Sequence, residues 1–484
     1  MIFNSLTYLV FLFIVVILYW FLPRRPRLYL IFISSLIFYG FWKFAFIPVM
    51  MASVVIDYFV AIKIDTTVSQ KIKKRFLCIS IFANLSLLFY FKYLIFFSNN
   101  AIGLLNILGI EVDPILLNII LPLGISFYTF QTISYTVDVY RGFIKPEKDF
   151  ILYSCYVTFF PQLVAGPVLR ASEVIFQLNK RLPFQIMFLS DGLKRIIYGL
   201  FLKVVLADNI GGLVDAGFLL PTSFISAIDV LTLSFLFGFQ IYFDFCAYSH
   251  IAIGSAKLMG ISFPENFNFP YLAKSPKDFW KRWHISLSSW IRDYLYLPLT
   301  GSKVINKSTG GIEISTNTVG QKRNKALFVS WAIMGLWHGA NWTFVLWGVY
   351  HAIFIYIHRL LSTKTFLNFR ILIYFGSLIT LPIMMLSWIP FRAESLEITI
   401  NMWSKIFQPS QYLYIGMKEN NYLVAAVIMI GIYVTNFIFK NNYSIKETVS
   451  KKLFSIIELI FFSIMIFLIF IFIRPITQFI YFQF

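Results

Sequence analysis

The chain has 484 residues, of which 59% are hydrophobic, 19% aromatic and only 13% charged. A soluble domain averages about 25% charged residues, so this composition excludes an ordinary water-soluble fold and requires lipid as the solvent. The net charge of +19 does not indicate a nucleic-acid partner, because basic residues of membrane proteins collect in cytoplasmic loops.

Apolar segments recur along the whole chain, and each crossing of a bilayer needs about 20 mainly apolar residues. The candidate segments are 6–21, 28–50, 52–64, 76–97, 101–128, 150–169, 186–207, 225–245, 326–358, 371–389, 422–439 and 453–480. They predict an all-α polytopic membrane protein with roughly ten to twelve transmembrane helices plus re-entrant or interfacial helices. We see no linker between folding units, so residues 1–484 form one membrane domain with a polar surface loop at 301–325.

The orientation follows from the basic residues. Segment 6–21 lacks a basic start and is followed by Pro23, so we interpret it as a retained span and not as a signal peptide. Arg24, Arg25 and Arg27 lie in the first loop, and four basic residues lie in the third loop at 71–75. Two crossings separate these loops, so both face the cytoplasm and the N-terminus lies outside.

Residues 275–294 predict an amphipathic helix at the membrane interface. Ser275 is a candidate N-cap, Pro276 fits the first helical position, and Asp278 completes a capping box. Large apolar side chains then recur on one face: Phe279, Trp283, Leu287, Trp290, Ile291 and Tyr294. Polar side chains fall on another face: Lys277, Lys281, Ser288 and Arg292. A plain interfacial anchor has the same periodicity, so the pattern alone does not separate the two interpretations.

His338 is the best candidate for chemistry among the five histidines. It follows Trp337 in an apolar stretch, where an ionisable residue suggests function. Gly335 and Gly339 form a pair that admits a neighbouring helix or substrate. Asn341, three residues on, is predicted to share the face of His338 and to orient its imidazole. An imidazole in such a site suits general base catalysis; the alternative is a packed core histidine.

Other polar residues in apolar surroundings are weaker candidates. His284 follows Trp280 by one turn and either positions substrate, relays a proton or is an ordinary interfacial histidine. Counting 100° per residue directs His351 away from His338, so we predict no histidine cluster. Asp244 needs a cationic partner at membrane depth and has a structural role as its alternative. The three cysteines show no metal-type spacing, and no metal site is expected.

Several runs resemble the membrane-bound O-acyltransferase superfamily, within it the bacterial alginate and peptidoglycan O-acetyltransferase branch. They are PLGISFYTFQ at 122–131, LVAGPVLR at 163–170, PENFN at 264–268, FWKRWHISLS at 279–288, GLWHG at 335–339 and WIPFRA at 388–393. These motifs lie between residues 120 and 393, and the sequence after Glu394 looks like generic membrane sequence. His250 departs from the pattern, because the family has Asp there, and Cys246-Ala247 replaces the usual Ser-Gly.

The resemblance implies a ring of helices around a buried tunnel, with His284 and His338 as the two characteristic histidines. It also implies a bacterial cytoplasmic-membrane location. The acyl donor arrives from the cytoplasm, and a separate extracytoplasmic esterase-like (SGNH) transferase completes transfer to a polysaccharide. We therefore expect a donor such as acetyl-CoA, no permanently bound cofactor, and His338 as general base or transient acyl carrier.

Basic side chains at the cytoplasmic mouth would attract the donor's phosphates, and the segment carrying His284 would line the entry beside Trp280 and Trp283. The candidates for this attraction are Lys281, Arg282 and Arg292. The preferred acceptor is peptidoglycan, followed by alginate or another exopolysaccharide. The alternatives are D-alanyl transfer to teichoic acid, a transporter of donor or polysaccharide, and a non-enzymatic scaffold.

Overall fold

The structure is a computed structural model that describes residues 1–113, 117–164, 166–180, 182–306, 312–315, 320–362, 370–448, 451–475 and 478–480. Helices dominate it. The first ten are α1 (Leu6–Phe21), α2 (Arg24–Lys43), α3 (Ile47–Thr66), α4 (Gln70–Leu88), α5 (Leu94–Ile107), α6 (Ile125–Tyr140), α7 (Phe150–Thr158), α8 (Ala171–Asn179), α9 (Ile186–Phe201) and α10 (Asp208–Phe218).

The second half of the chain is also helical. Its helices are α11 (Ala227–Leu258), α12 (Pro276–Phe279), α13 (Ile285–Ile291), α14 (Leu297–Thr300), α15 (Gly320–His338), α16 (Trp342–Ser362), α17 (Arg370–Leu386), α18 (Trp388–Arg392), α19 (Leu396–Ile406), α20 (Glu419–Thr448) and α21 (Lys451–Phe472). The predicted polar loop at 301–325 contains a small antiparallel hairpin of β1 (Lys303–Asn306) and β2 (Ile312–Ser315) and the start of α15. Residues 307–311 and 316–319 of that loop lie outside the described residues.

The all-α polytopic fold predicted from the sequence is confirmed. Among the described residues, six helical stretches have the length and apolarity to cross a membrane: Arg24–Thr66, Gln70–Ile107, Ile186–Phe218, Ala227–Leu258, Trp342–Ser362 and Ser455–Phe472. The first of these stretches contains two 20-residue helices, α2 and α3. One helical stretch can therefore contain more than one membrane crossing. The number of crossings therefore stays a prediction.

The two basic loops lie at the same end of the helix bundle. Arg25, in the first turn of α2, forms an ion pair with Asp149. Tyr58, in the second half of α3, donates a hydrogen bond to the carbonyl of Lys148 at 2.6 Å. The start of α2 and the end of α3 therefore meet at one place, which brings residues 24–27 and 71–75 to a common side. We call this side the basic end.

Helices α15 and α16 form a tightly packed antiparallel pair. The chain turns between His338 and Trp342, and α16 runs back along α15. A Cβ atom added to Gly335 would lie 2.1 Å from the carbonyl oxygen of Phe344, and one added to Gly348 would lie 2.1 Å from the carbonyl oxygen of Trp331. The close approach predicted at Gly335 is therefore present, and Gly348 provides the matching surface.

We expect Gly335→Ala to destabilise the protein by about 1–3 kcal/mol, because the new methyl group would push the backbones of α15 and α16 apart. Thermal unfolding of the detergent-purified protein measures this change. Gly103→Ala is the matched control, since a Cβ atom there meets nothing within 4 Å. Equal melting temperatures for the two variants would contradict the close packing.

Candidate active site

His338 is the last residue of α15 and lies at the wall of a cavity of about 380 Å³. The cavity is also lined by Met1, Trp42, Lys92 and Phe127. Helices α2 and α4 both begin at the basic end. Trp42 is near the other end of α2, and Lys92 follows the last residue of α4. The cavity is therefore at the opposite end of the bundle, which we call the cavity end.

Aromatic rings surround the imidazole of His338 on several sides. The ring centroids of Trp337 and Trp347 are each 4.9 Å from it, and that of Phe391 is 5.2 Å away. His338 as a whole residue is only 6% exposed. Such walls limit the access of water, which strengthens electrostatic interactions inside the site.

His284 has a backbone conformation that few residues adopt. Its φ of 41° lies in the left-handed region, which costs a non-glycine residue about 1–2 kcal/mol. The residue is buried at the start of α13, and its ring contacts Phe245 with a centroid distance of 4.6 Å. Burial lowers the pKa of His284 to about 3, so its imidazole is neutral at physiological pH.

Asn266, which the sequence analysis did not single out, holds His284 in this conformation. Its carbonyl oxygen accepts the backbone N–H of Ile285 at 2.9 Å. Its side-chain oxygen lies 3.2 Å from Nδ1 of His284 and accepts the backbone N–H and hydroxyl of Ser286 at 3.2 and 2.9 Å. The Ser286 hydroxyl in turn accepts the N–H of Val168 at 3.0 Å.

Removing the Asn266 side chain should therefore loosen His284. We expect Asn266→Ala to lose about 1–3 kcal/mol of stability, because Ser286 loses buried hydrogen bonds, and to lower the acyl transfer that the family resemblance implies by more than the loss of folded protein accounts for. Transfer per folded molecule is the measurement. Asn268→Ala, at an exposed position in the same loop, serves as the control and should be neutral.

The predicted amphipathic helix over 275–294 is interrupted. Ser275 does cap a helix, since its hydroxyl accepts the N–H of Asp278 at 3.1 Å, but the Asp278 side chain accepts from Lys274 and so does not complete the predicted capping box. Helix α12 ends at Phe279 and α13 begins at Ile285. The prediction failed at His284, because a left-handed residue reverses the local backbone and side-chain periodicity does not reveal it.

The prediction that His351 points away from His338 is wrong. It assumed one continuous helix, whereas the chain turns after His338 and α16 packs back against α15. The ring of Trp347 is 4.9 Å from that of His338 and 4.8 Å from that of His351. Nε1 of Trp280 also donates to Nδ1 of His351 at 3.4 Å.

A cluster of aromatic rings links the segments of the two characteristic histidines. Trp283, next to His284, contacts Trp388 at 4.9 Å, and Trp388 contacts Phe391 at 5.5 Å, which in turn contacts His338. His284 and His351 are both close enough to His338 to interact with it electrostatically. One buried site therefore contains Trp280, Trp283 and both histidines. The order of their motifs along the chain did not show how far apart these residues lie in the fold.

Asn341 does not lie on the helical face of His338 as predicted, because α15 ends at His338. Its side-chain oxygen accepts the N–H of Thr343 at 3.0 Å, at the start of α16. Its amide donates to the carbonyl of Glu394 at 3.4 Å. The residue therefore stabilises the turn that brings α16 back onto α15.

Asp244 has the cationic partner that its burial required. Nζ of Lys203 lies 2.7 Å from Asp244 and 2.8 Å from Asp208. The backbone N–H of Ile480 donates to Asp244 at 2.8 Å, while Gln478 lines the cavity. The C-terminal residues therefore take part in the core, and generic membrane sequence is the wrong description for them.

The predicted donor-attracting residues differ in their surroundings. Lys281 is exposed, Arg282 forms an ion pair with Asp278 at 3.0 Å, and the exposed Arg292 pairs with Asp293 at 2.6 Å. Arg292 is close to the end of α6, since Arg141 donates to the carbonyl of Asp293 at 3.3 Å. The loop after α6 contacts α2 and α3, so Arg292 lies towards the basic end.

His250 belongs to a polar group outside the cavity. His250, where the family has Asp, has Nδ1 3.0 Å from a guanidinium nitrogen of Arg195, which is also paired with Glu265. This group lines a separate cleft of about 520 Å³.

Within the part of the chain that the structure describes, no group of three or more His, Cys, Asp or Glu side chains is arranged to hold a metal ion.

Comparison with known proteins gives a consistent result. The sequence model of the MBOAT, membrane-bound O-acyltransferase family, matches residues 144–389. The chain is 37% identical over 415 residues to the probable alginate O-acetylase AlgI of Pseudomonas aeruginosa, covering 84% of this chain and 75% of that protein. It is 37% identical over 403 residues to the peptidoglycan O-acetyltransferase of Helicobacter pylori, covering 78% and 72%.

A more distant relative acts in a different acyl transfer. The teichoic acid D-alanyltransferase of Bacillus subtilis is 30% identical over 251 residues, which cover 49% of this chain and 58% of that protein. The similarity to the two O-acetylating proteins therefore extends over much more of the chain than the similarity to the D-alanyl protein.

Proposed function

The chain belongs to the membrane-bound O-acyltransferase family and is a multi-pass O-acyltransferase, and from this premise we propose its reaction. It takes an acetyl group from a cytoplasmic thioester and passes it across the membrane for O-acetylation of an extracytoplasmic polysaccharide. The location that fits this reaction is the bacterial cytoplasmic membrane.

The observation that carries the proposal is the position of His338. This buried histidine borders a cavity at the end of the bundle opposite the basic loops. Under the positive-inside rule the basic end faces the cytoplasm, so the cavity faces outward. A hydroxyl acceptor would reach His338 through that cavity, while the donor would approach from the other side.

The chemistry assigned to His338 is general base catalysis. The imidazole accepts the proton of the acceptor hydroxyl while the oxygen attacks the thioester carbonyl carbon. The carbon–sulfur bond then breaks, and the thiolate leaves and takes up a proton. Base catalysis contributes about 10²–10⁴-fold, and the aromatic walls add positioning and exclusion of water. The neutral imidazole of His284 orients the acyl group within the same site.

The donor is best represented by acetyl-CoA or another acyl thioester, with no cofactor held permanently. Arg292, near the basic end, and the exposed Lys281 would attract its phosphates, together with Arg282, the neighbour of Lys281 in the chain. Trp280 and Trp283 form the aromatic wall along which the thioester arm would pass. Asp244 and Asn341 would support the fold of the site through their contacts with Lys203 and with the start of α16.

The polysaccharide partner is proposed to be peptidoglycan, with alginate or another exopolysaccharide next. The 37% identity to both a peptidoglycan O-acetyltransferase and an alginate O-acetylase supports this class without ranking its members. An extracytoplasmic esterase-like (SGNH) transferase would complete the transfer to the polymer.

The test is the ester-bound acetate content of purified peptidoglycan and of secreted polysaccharide, in cells with and without the chain. Loss of acetate from one polymer identifies the acceptor. Unchanged acetate in every polymer would contradict the proposal. In that case D-alanyl esters of teichoic acid are assayed next, because the B. subtilis relative, which matches 49% of the chain, supports this second candidate.

A further inference from the structure

Lys92 is a lysine inside the helical stretch Gln70–Ile107, which is apolar enough to cross a membrane. It belongs to a π-helical turn, Phe89–Tyr93, between α4 and α5. Such turns are rare and appear mostly as single insertions in α-helices, frequently at functional sites. A lysine within such an apolar stretch is costly and requires strong partners.

The partners of Lys92 are the last carbonyl groups of α15. Its Nζ donates to the carbonyl of Trp337 at 2.5 Å and to that of His338 at 3.1 Å. The hydroxyl of Tyr93, its neighbour, donates to the carbonyl of Leu336 at 3.2 Å. The π turn therefore binds the carbonyls at the end of the helix that carries His338, where the helix dipole also favours a cation.

Lys92 also lines the same cavity as His338. An ammonium group has three N–H donors, and two of them bond to α15. Its nitrogen lies 5.8 Å from the centroid of the Trp337 ring, which forms part of the wall around His338. The ammonium group is therefore held at the end of the helix that carries the imidazole and at the surface that an acceptor would occupy.

We propose that Lys92 is a positioning residue for His338. It fixes the end of α15, so that the imidazole faces the cavity, and its ammonium group adds to burial in favouring the neutral imidazole that accepts a proton. This inference rests on the proposed function, in which His338 is the base. Among the described residues, His284, Lys92 and His351 interact electrostatically with His338, and the lysine is by nature a much stronger base than the two histidines.

The test compares Lys92→Met, which keeps the stem but removes the charge, with Lys92→Arg, which keeps a charge and donors. Release of free thiol from acetyl-CoA is measured over a range of pH in membranes of the producing cells with their acceptor polymer, above the background of membranes that lack the chain. We expect Lys92→Met to lower turnover per folded molecule by about 10²-fold, the cost of a small misplacement, and Lys92→Arg to retain most of it.

The pH profile separates positioning from a purely structural role. Loss of a nearby positive charge favours protonation of the imidazole, so the acidic limb of the Lys92→Met profile should move to higher pH. Tyr93→Phe is the matched control, because it removes a bond to α15 without changing the charge, and its acidic limb should not move. An unchanged limb and near-normal turnover in Lys92→Met would overturn the inference.

Further variants separate a failure of folding, a failure of the role of His338 and a failure of the role of Lys92. If Lys92→Met does not accumulate as folded protein, Lys92→Gln, which still donates to the carbonyls, takes its place, and the same shift is expected. His338→Gln is measured in parallel: if it stays active, the proposed role of His338 fails, and this inference fails with it. If His338→Gln is inactive and neither uncharged Lys92 variant changes the profile, the inference about Lys92 alone is wrong.

Discussion

Replacing His338 with Gln should lower O-acetylation by about 10²–10⁴-fold, the usual contribution of a general base. Gln fills a similar volume and keeps a hydrogen-bonding group in the ring of Trp337, Trp347 and Phe391, but it does not accept a proton near neutral pH. The measurement is the ester-bound acetate of the acceptor polymer in cells that produce the variant at the wild-type level.

The matched control for this substitution is His358→Gln. His358 lies on α16, twenty residues further along the chain, and is only partly buried, so its loss should leave acetylation unchanged. If His338→Gln were fully active, the chain would act as a conduit or scaffold, and the chemistry would belong to a partner. If both variants were inactive, folding rather than catalysis would be the first explanation to examine.

Local features were the most predictable from sequence. The apolar segments, the Ser275 cap and the close contact at Gly335 each depend on residues near one another in the chain, and each is present in the structure. The need of Asp244 for a cation was also predictable, because an unpaired carboxylate in an apolar core is too costly to persist. Its partner Lys203 was not, since 41 residues separate the two.

The active-site geometry was less predictable, because it depends on chain reversals. The turn after His338 places His351 beside Trp347, which no count of 100° per residue along a single helix shows. The left-handed backbone of His284 divides a continuous apolar pattern into two helices. The sequence feature that could have predicted this break was Asn266, in the run PENFN at 264–268. Its function of holding His284 is visible only in the fold, where it binds Ser286, twenty residues later.

Lys92 shows the same difficulty for a single side chain. Its signal in the sequence was a lone lysine within the aromatic run FYFKY at 89–93, in an apolar segment where a cation suggests function. Its partners are 245 and 246 residues away, so no local pattern connects it with His338. An isolated charge in an apolar segment is therefore a signal to follow even when its partner is unknown.

Replacing Lys203 with Met should be the most destabilising of the substitutions considered, at about 3–5 kcal/mol. Lys203 and Asp244 have side chains only 2% and 4% exposed, so the variant leaves Asp244 as a buried charge without its cation. The hydrogen bond from the N–H of Ile480 offsets only part of that cost. Thermal unfolding of the detergent-purified protein is the measurement, and the melting temperature should fall markedly.

Two further variants identify the cause of that loss. Lys203→Met combined with Asp244→Asn removes both charges while keeping an acceptor for the N–H of Ile480, so most of the stability should return. Lys194→Met removes a lysine from α9 whose pair with Glu458 is 39% and 37% exposed, and such a surface pair is worth only about 0–1 kcal/mol. If Lys194→Met were as harmful as Lys203→Met, loss of the lysine stem rather than of a buried ion pair would explain both results. If the double variant kept the low melting temperature of Lys203→Met, the lost stability would instead come from the contact of Lys203 with Asp208.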